Sequence, residues 1–512
     1  MNKNFYITTP IYYPSAKPHM GHAYSSIVAD FFARFKRLDG YNVYFLTGTD
    51  EHGLKIQRAA EKNGMDPILF CNKISKTFMD LSKTLNLSNT DFIRTTEKRH
   101  IKSVQNLWNI LKSKDEIYLS KYSGWYSVPD EAYYSDDEIE EQNGVKIAKS
   151  SGSVVEWVEE ESYFFKLSKW QDKLLKFYEK NTNFILPTSR KNEIISFVKG
   201  GLKDLSVSRK SFSWGVKVPE NNEHIIYVWL DALTNYLSAL NYPDKNNELY
   251  KNFWPADVHM IGKDILRFHA VYWPAFLLAA GISPPKKVYG HGWILSGEEK
   301  MSKSKGNILD PLEIIDKYGL DPLRYYLLKE VSFGNDGNIS RDKLENCTNS
   351  DLANNYGNLC QRVISFNEMN CNLTVPEKGD FNKEDIYLLD NYKNNLQKLR
   401  SFIDEQDLNS YTSFIVDSLF AANKYFNDQE PWKKKSDLIR LNTIVYVSLE
   451  VIRKISIMLY PIIPESSLKI LDVFGLNENN INFESIQNHD ELKIKNKIKK
   501  IDILFKKIIK ND

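Results

Sequence analysis

Apolar and polar positions change their rhythm several times along the chain, and each change marks an element. "FYIT" is a short β-rich run, and Ala23, Ile27, Val28, Phe31, Phe32 and Phe35 then recur at helical spacing up to Gly40. "YNVYFLTGTDEHG" follows as an apolar strand ending in small polar residues. This order predicts a βαβ unit with a parallel pair of strands. In such sheets ligands sit beyond the carboxyl ends of the strands, where both "TTPIYYPSAKPHMGH" and "TGTDEHG" fall.

Residues 53–112 read as helical. From about 116 the texture becomes aromatic, acidic and strand-like, as in "YSGWYSVPDEAYYSDDEIEEQNG" and "SGSVVEWVEEESYFF". An inserted domain running to about 224 is the natural reading, because "EHIIYVWLDAL" and "VHMIGKDILRFHAVYWPAFLLAAG" then resume the strand-then-helix alternation. A strand and loop, "KKVYGHGWILSGEEKMSKSKGN", follow. After about 345 only helical periodicity remains, in segments such as "DLANNYGNLCQRVISF", "SFIVDSLFAANKYF" and "LNTIVYVSLEVIRKISIMLYPII", which predicts a separate helix bundle. Residues 491–512 form a Lys-rich amphipathic stretch, predicted as a solvated helix packed on the body, with RNA contact as the other reading.

Size and composition narrow the classes. At 512 residues the chain exceeds one compact core, so two to four folded units are expected. Its 42% hydrophobic, 13% aromatic and 26% charged content is globular, and no apolar run approaches the roughly 20 residues needed to cross a bilayer. The start, "MNKNFYITTP", has no targeting-peptide character, so a cytoplasmic location is expected. A net charge of +2 argues against nonspecific coating of nucleic acid. Cys71, Cys347, Cys360 and Cys371 include no CxxC pair, so a structural zinc is not expected and the thiols read as reduced.

Two segments carry candidate chemistry. In "PHMGH", His19 and His22 stand at the mouth of an amphipathic helix, where outward-pointing amides attract phosphate and Gly21 permits close approach. Taken alone, HxGH also fits a metal pair or two packed core residues. In "GEEKMSKSKGN", Lys300, Lys303 and Lys305 lie in a loop bounded by Gly297 and Gly306, with Ser302 and Ser304 between them. Lysines on such a loop suit a polyphosphate that is gripped and released, though a solvated basic loop has the same composition.

HxGH early and KMSKS late, bracketing an α/β region with an insertion, resemble the class I aminoacyl-tRNA synthetases, whose corresponding motifs bind ATP on opposite sides of a Rossmann-like site. The blocks "TTPIYYPSAKPHMGHAYS", "GTDEHG", "YVWLDAL", "GKDILRFHAVYWPA" and "GHGWILSGEEKMSKSKGN" are most similar to the methionyl-tRNA synthetases, and "DLANNYGNLCQR" and "EPW" extend the likeness into the bundle. The implied fold class is α/β: a Rossmann-like parallel-sheet catalytic domain split by an inserted connective domain, followed by an all-α anticodon-binding bundle. The domains are expected at 1–112 (first catalytic half), 113–224 (connective insert), 225–295 (second catalytic half), 296–345 (KMSKS loop and stem-contact region) and 346–512 (anticodon-binding bundle).

The resemblance implies a reaction in which methionine and ATP give methionyl-adenylate and pyrophosphate, and the methionyl group then passes to the terminal adenosine of tRNA(Met). The substrate carboxylate attacks the α-phosphate, so positioning and charge stabilisation carry the catalysis. By the same likeness His19 and His22, with Gly21, face the α-phosphate. Lys300 and Lys303 hold the β,γ-phosphates with Mg²⁺ as counter-ion, and Met301, Ser302 and Ser304 complete that loop. Asp264 and the backbone of Gly292, Trp293 and Ile294 take the ribose and adenine.

The family pattern places Ile11, Tyr13, Trp229, Ala232, Tyr236 and His269 around the methionine side chain, as suits a thioether that packs well on aromatic rings. Asp50 falls at the position that pairs with the substrate amino group, with Arg209 near it. In the bundle, Pro431 and Trp432 fall where the family stacks an anticodon base, and Arg362 where it hydrogen-bonds one. Asp351 departs from the asparagine of many relatives, so that a base contact there would need a donor from the base or a helper such as Asn355.

Residues 113–224 contain no cysteine, so the insert is expected to rest on packing of "WYSV", "VVEWV" and "SYFF" rather than on zinc. The absence of an appended C-terminal domain favours a monomer, with initiator and elongator tRNA(Met) as partners and no membrane. Enzymes for isoleucine, valine or leucine would need a larger editing insertion, and a cysteine enzyme would need zinc ligands. A catalytically silent RNA-binding descendant and a small-molecule nucleotidyltransferase are the readings from other classes. The first would have lost one of the two motifs, and the second would not need the bundle.

Overall fold

The computed structural model describes residues 3–130, 132–142, 144–296, 299–300, 310–331 and 333–509; at 122, 296, 299 and 300 it describes the backbone alone. The chain forms two compact units, one of Asn4–Ala29 and Val43–His291, the other built mainly of Asp30–Asn42 and Gly292–Asp512.

The first unit holds a six-stranded sheet. Its strands are β1 (Asn4–Tyr12), β2 (Asn42–Thr49), β3 (Asp91–Arg94), β4 (Ile185–Leu186), β5 (Val258–Gly262) and β6 (Val288–His291), in the spatial order 3-2-1-5-6-4. β1 pairs in parallel with β5, β5 with β6, β6 with β4 and β2 with β3. All eight residues of β2 but the first are buried, the near-continuous burial that a parallel strand covered on both faces requires. The strand order reverses between β1 and β5, so the crevice beyond their carboxyl ends is the expected ligand position. Gly48 of β2 sits where an added Cβ would lie 2.0 Å from the Ile93 carbonyl oxygen, and only glycine allows the approach to β3. The sheet and its helices enclose one large core that includes Tyr6, Leu46, Trp108, Tyr178, Leu230 and Trp273.

The insert is strand-rich at first. Ile117–Ser127 pairs antiparallel with Glu156–Phe165, and Ala132–Tyr134 and Leu205–Ser206 extend the sheet. Packing is only part of what holds its tip: Asp130 accepts hydrogen bonds from the hydroxyls of Tyr134 (2.8 Å), Ser151 (2.5 Å) and Ser153 (2.7 Å). The strand-like reading does not extend to 224. Gln171–Lys180 and Thr188–Lys199 are helices, with Leu174/Tyr178 and Ile194/Val198 buried at the four-residue spacing of a helix face. Between them β4 returns to the main sheet beside β6.

The second unit contains the helices Leu320–Glu330, Asn358–Cys371, Lys383–Asp404, Leu408–Gln429, Leu438–Leu459 and Pro464–Val473. A π-helical segment, Thr348–Gly357, leads into the second of these. A buried charge cluster pins the unit: Asp30 accepts from Arg34 (2.8 Å) and Arg324 (2.7 Å), and Arg324 also donates to the carbonyls of Ile462 and Pro461.

The Lys-rich tail is packed on the body, but it is not helical over its described part, 491–509. Its backbone is bonded instead to an extended segment: Val375 N–H donates to Asn496, Lys495 N–H to Val375 and Ile498 N–H to Leu373, each at 2.8 Å. Leu492 and Ile498 are buried while Ile503 is 70% exposed, so the apolar residues do not share a helical stripe. Among the described residues no helix is long and apolar enough to cross a membrane.

Candidate active site

The loop between β1 and helix α1 (Met20–Leu38) brings the two motif histidines together, their ring centroids 3.8 Å apart. The His19 backbone N–H donates to Nδ1 of His22 at 3.0 Å, and the Gly21 N–H donates to Nδ1 of His19 at 3.1 Å. Each imidazole thus uses Nδ1 as an acceptor, which leaves Nε2 as its donor. Burial, reinforced by His19 and Lys55, holds the His22 pKa well below its ordinary value, so that ring is neutral. An added Cβ at Gly21 would come within 2.9 Å of His19 Cε1, so glycine is what lets the His19 ring fold over the helix start. Tyr12 braces the pair, its hydroxyl 2.9 Å from Ser26 Oγ and its ring edge-on to His22.

Asp50 follows β2 and is buried; its N–H donates to the Tyr12 carbonyl at 2.9 Å. It lies within electrostatic reach of Tyr236, whose hydroxyl pKa burial raises first of all, with smaller contributions from Tyr12 and Asp50. Trp229, Ala232 and Tyr236 are buried on and just after the helix Val228–Leu233. Tyr236 is joined to His269, the hydroxyl 2.8 Å from Nε2. Nδ1 of His269 donates to the Ile265 carbonyl at 3.0 Å, so Nε2 accepts and Tyr236 donates. Burial lowers the His269 pKa to about 4, which keeps this acceptor neutral. Ile11 and Tyr13, partly buried, pack against the same core. Asp264 stands in the first turn beyond β5; a Cβ at Gly262 would lie 2.6 Å from its Oδ1.

Arg209 stands in a box of aromatic rings. Its guanidinium sits among the rings of Tyr133 (4.1 Å), Tyr227 (4.6 Å) and Tyr126 (5.4 Å), donates to Ser206 Oγ and the Ser208 carbonyl, and has Glu160 at 3.9 Å. These groups belong to the insert and its junction, so a carboxylate other than Asp50 is its recorded ion-pair partner.

Gly292, Trp293 and Ile294 fall in the other compact unit. There a Cβ at Gly292 would meet the Asn335 carbonyl oxygen at 2.1 Å, and Trp293 N–H donates to Asp336 at 2.9 Å. Met301, Ser302, Lys303 and Ser304 lie outside the described residues, as does the Lys300 side chain.

Several residues escaped the sequence reading. Phe268 stacks on Trp229 with centroids 3.7 Å apart and planes 5° apart. His259 stacks on Tyr236 at 4.0 Å and bonds Thr8. Glu51 is fully buried; burial would raise its pKa, but the hydrogen bonds of Arg94, Ser75 and Thr96 prevail and lower it. All lie inside or beside blocks already quoted, but their partners are far away in sequence.

In the bundle, Asn355, Arg362 and Trp432 converge on one face of Leu408–Gln429. Asn355 Oδ1 accepts from Asn423 at 2.6 Å, Arg362 donates to Asn427 at 2.7 Å, and Trp432 meets Phe426 edge-on at 6.1 Å, anchored by buried Pro431. Asp351 turns elsewhere: it accepts from Lys329 Nζ (2.5 Å), Tyr325 (2.9 Å) and Ser350 (2.8 Å). The Asp351 carboxylate is therefore tied to the helix Leu320–Glu330 by an ion pair. Among the described residues no group of three or more His, Cys, Asp or Glu is arranged to hold a metal ion.

Known proteins share this architecture. Residues 5–364 match the family model described as tRNA synthetases class I (M), and 375–512 match the anticodon binding domain of methionyl tRNA ligase. The methionine–tRNA ligase of Brucella suis is 50% identical over 93% of this chain and 92% of its own length, and that of Rickettsia typhi 48% identical over 99% and 100%. A structure of Mycobacterium tuberculosis methionyl-tRNA synthetase in complex with methionyl-adenylate superimposes with a TM-score of 0.96 at 45% identity, covering 98% of this chain and 99% of that one. The two family models and relatives 48–50% identical over nearly the whole length place the chain in the methionyl-tRNA synthetase family of class I aminoacyl-tRNA synthetases.

Proposed function

We propose that this methionine–tRNA ligase draws its activating power from two neutral histidine donors at the start of α1, aimed at the α-phosphate of ATP. The enzyme activates methionine with ATP to methionyl-adenylate and pyrophosphate, then charges tRNA. The observation that carries the reading is the pair of Nδ1 acceptors at His19 and His22, which sets each ring in the Nε2–H tautomer beside a helix N-terminus. As the methionine carboxylate attacks, negative charge grows on the α-phosphate oxygens, and fixed neutral donors stabilise it without giving up a proton.

Asp50 holds the substrate ammonium, and Trp229, Ala232, Tyr236, His269, Ile11 and Tyr13 enclose the thioether. The buried indole N–H of Trp229 has no hydrogen-bond partner among the described residues, which suits a wall that meets a ligand. Arg209 contributes from its tyrosine box at a distance. Asp264 and the Gly292–Ile294 backbone take the nucleoside. Lys300 and Lys303, with Mg²⁺ accompanying ATP and Met301, Ser302 and Ser304 shaping the loop, hold the β,γ-phosphates.

Asn355, Arg362, Pro431 and Trp432 read the anticodon of initiator and elongator tRNA(Met). The five-part domain division, a monomeric state and residence in the cytoplasm complete the reading. Amino-acid-dependent pyrophosphate exchange across the twenty amino acids tests it: methionine alone should support rapid exchange, and equal exchange with another amino acid would overturn it.

A further inference from the structure

Behind the methionine side of the site lies a closed arrangement of three titratable groups. Asp231, fully buried, accepts from His52 Nδ1 through one carboxylate oxygen and from His100 Nε2 through the other, both at 2.7 Å. His52 follows Asp50 by two residues in the loop after β2, and His100 lies on the helix Lys98–Ser113. Asp231 itself stands between Trp229 and Ala232 on the pocket helix, and His100 Nδ1 reaches Ser238 Oγ at 3.0 Å, two residues beyond Tyr236. The carboxylate thus ties the loop after β2 and the helix Lys98–Ser113 to the helix Val228–Leu233.

We infer that Asp231, clasped by His52 and His100, is a positioning residue that sets the distance between Asp50 and the wall formed by Trp229, Ala232 and Tyr236, and so tunes the site for methionine. The inference rests on the assignment of those residues to the methionine side. Two features support it. The carboxylate is anionic, its pKa held at about 2 because the His52 and His100 interactions outweigh the cost of burial. Each of its oxygens is engaged by one histidine, which fixes the carboxylate's orientation. The bonds also join segments that carry opposite ends of one small ligand, where a displacement of about 1 Å is costly.

The test is pyrophosphate exchange by the full chain, with methionine and ATP varied separately. His52→Ala should raise KM for methionine about tenfold or more while KM for ATP changes by less than about twofold. Asparagine places an amide N–H where Nδ1 sits, whereas glutamine places it where Nε2 sits. His52→Asn should therefore recover most of the methionine KM and His52→Gln none of it, a comparison that stands even where the alanine variant fails to fold. KM values for methionine and ATP rising together, or Asn and Gln variants behaving alike, would overturn the role. Asp50→Asn separates this from the site assignment. An unmoved methionine KM there removes the assignment itself, while a raised one beside indistinguishable His52 variants removes only the brace.

Discussion

Nδ1 of His22 accepts the backbone N–H of His19 at 3.0 Å, and that one bond selects the Nε2–H tautomer of the ring. With Nδ1 occupied and the ring kept neutral by burial, only Nε2–H is left to donate. Glutamine can present an N–H near the Nε2 position and asparagine cannot. His22→Asn should therefore slow methionine-dependent exchange by about 10²–10³-fold, the usual cost of losing one preorganised donor, and His22→Gln by clearly less. Single-turnover adenylate formation checks the order, and equal losses would remove Nε2 from the mechanism.

Tyr236 and His269 make the pocket pH-sensitive. His269 titrates at about 4 in the folded chain against an ordinary value of 6.5, because burial disfavours its charged form. The folded state thus binds the proton less readily than the open chain. Its stability is full above about pH 6.5, declines as pH falls from there to about 4, and has then lost about 3 kcal/mol in all. Protonation of the folded chain, which comes only near pH 4, removes the acceptor that Tyr236 uses, so KM for methionine should rise as pH falls through about 4. Urea unfolding at pH 7 and pH 4.5 should show the loss in the native chain and a smaller one in His269→Gln, which keeps an acceptor without titrating.

How much of this was readable beforehand depended on the range of the signal. The βαβ start was plain because Ala23, Ile27, Val28, Phe31 and Phe35 repeat within one helix, and both histidines of α1 act through backbone bonds spanning three residues or fewer. β4 is two residues long and carries no periodicity at all. The His52–Asp231 bond spans 179 positions, so no local pattern could announce it. The tail misled because Ile494, Ile498, Ile501, Phe505 and Ile508 recur at helical spacing, while its backbone finds better partners in Leu373 and Val375.

Asp351 illustrates how a substitution can change a residue's task. Where asparagine could face a base, the carboxylate is drawn to Lys329 and Tyr325. Asp351→Asn should lower stability by about 1.5–3 kcal/mol, the worth of hydrogen bonds to a charged group, with the smaller value favoured because Lys329 is partly exposed. The kcat/KM for tRNA charging should change by less than about threefold. Denaturant unfolding and aminoacylation, run side by side, decide it: a large change in charging with unaltered stability would restore a base contact.

Trp432, next to buried Pro431, is 40% exposed. Its neighbour Phe426 is buried and supports it edge-on, while the Arg362 guanidinium lies 5.6 Å from the same Phe426 ring. An exposed indole backed by a buried ring is a platform with one face open to a base, and stacking on such a face contributes about 1–3 kcal/mol. Trp432→Ala should therefore reduce kcat/KM for tRNA charging by roughly 5- to 150-fold, the factor to which that energy corresponds. Methionine-dependent exchange needs no tRNA and should stay within about twofold. Trp432→Phe, which keeps a ring face, should retain most of the charging activity. If exchange and charging fell together in Trp432→Ala, the ring would be holding the bundle and not the RNA.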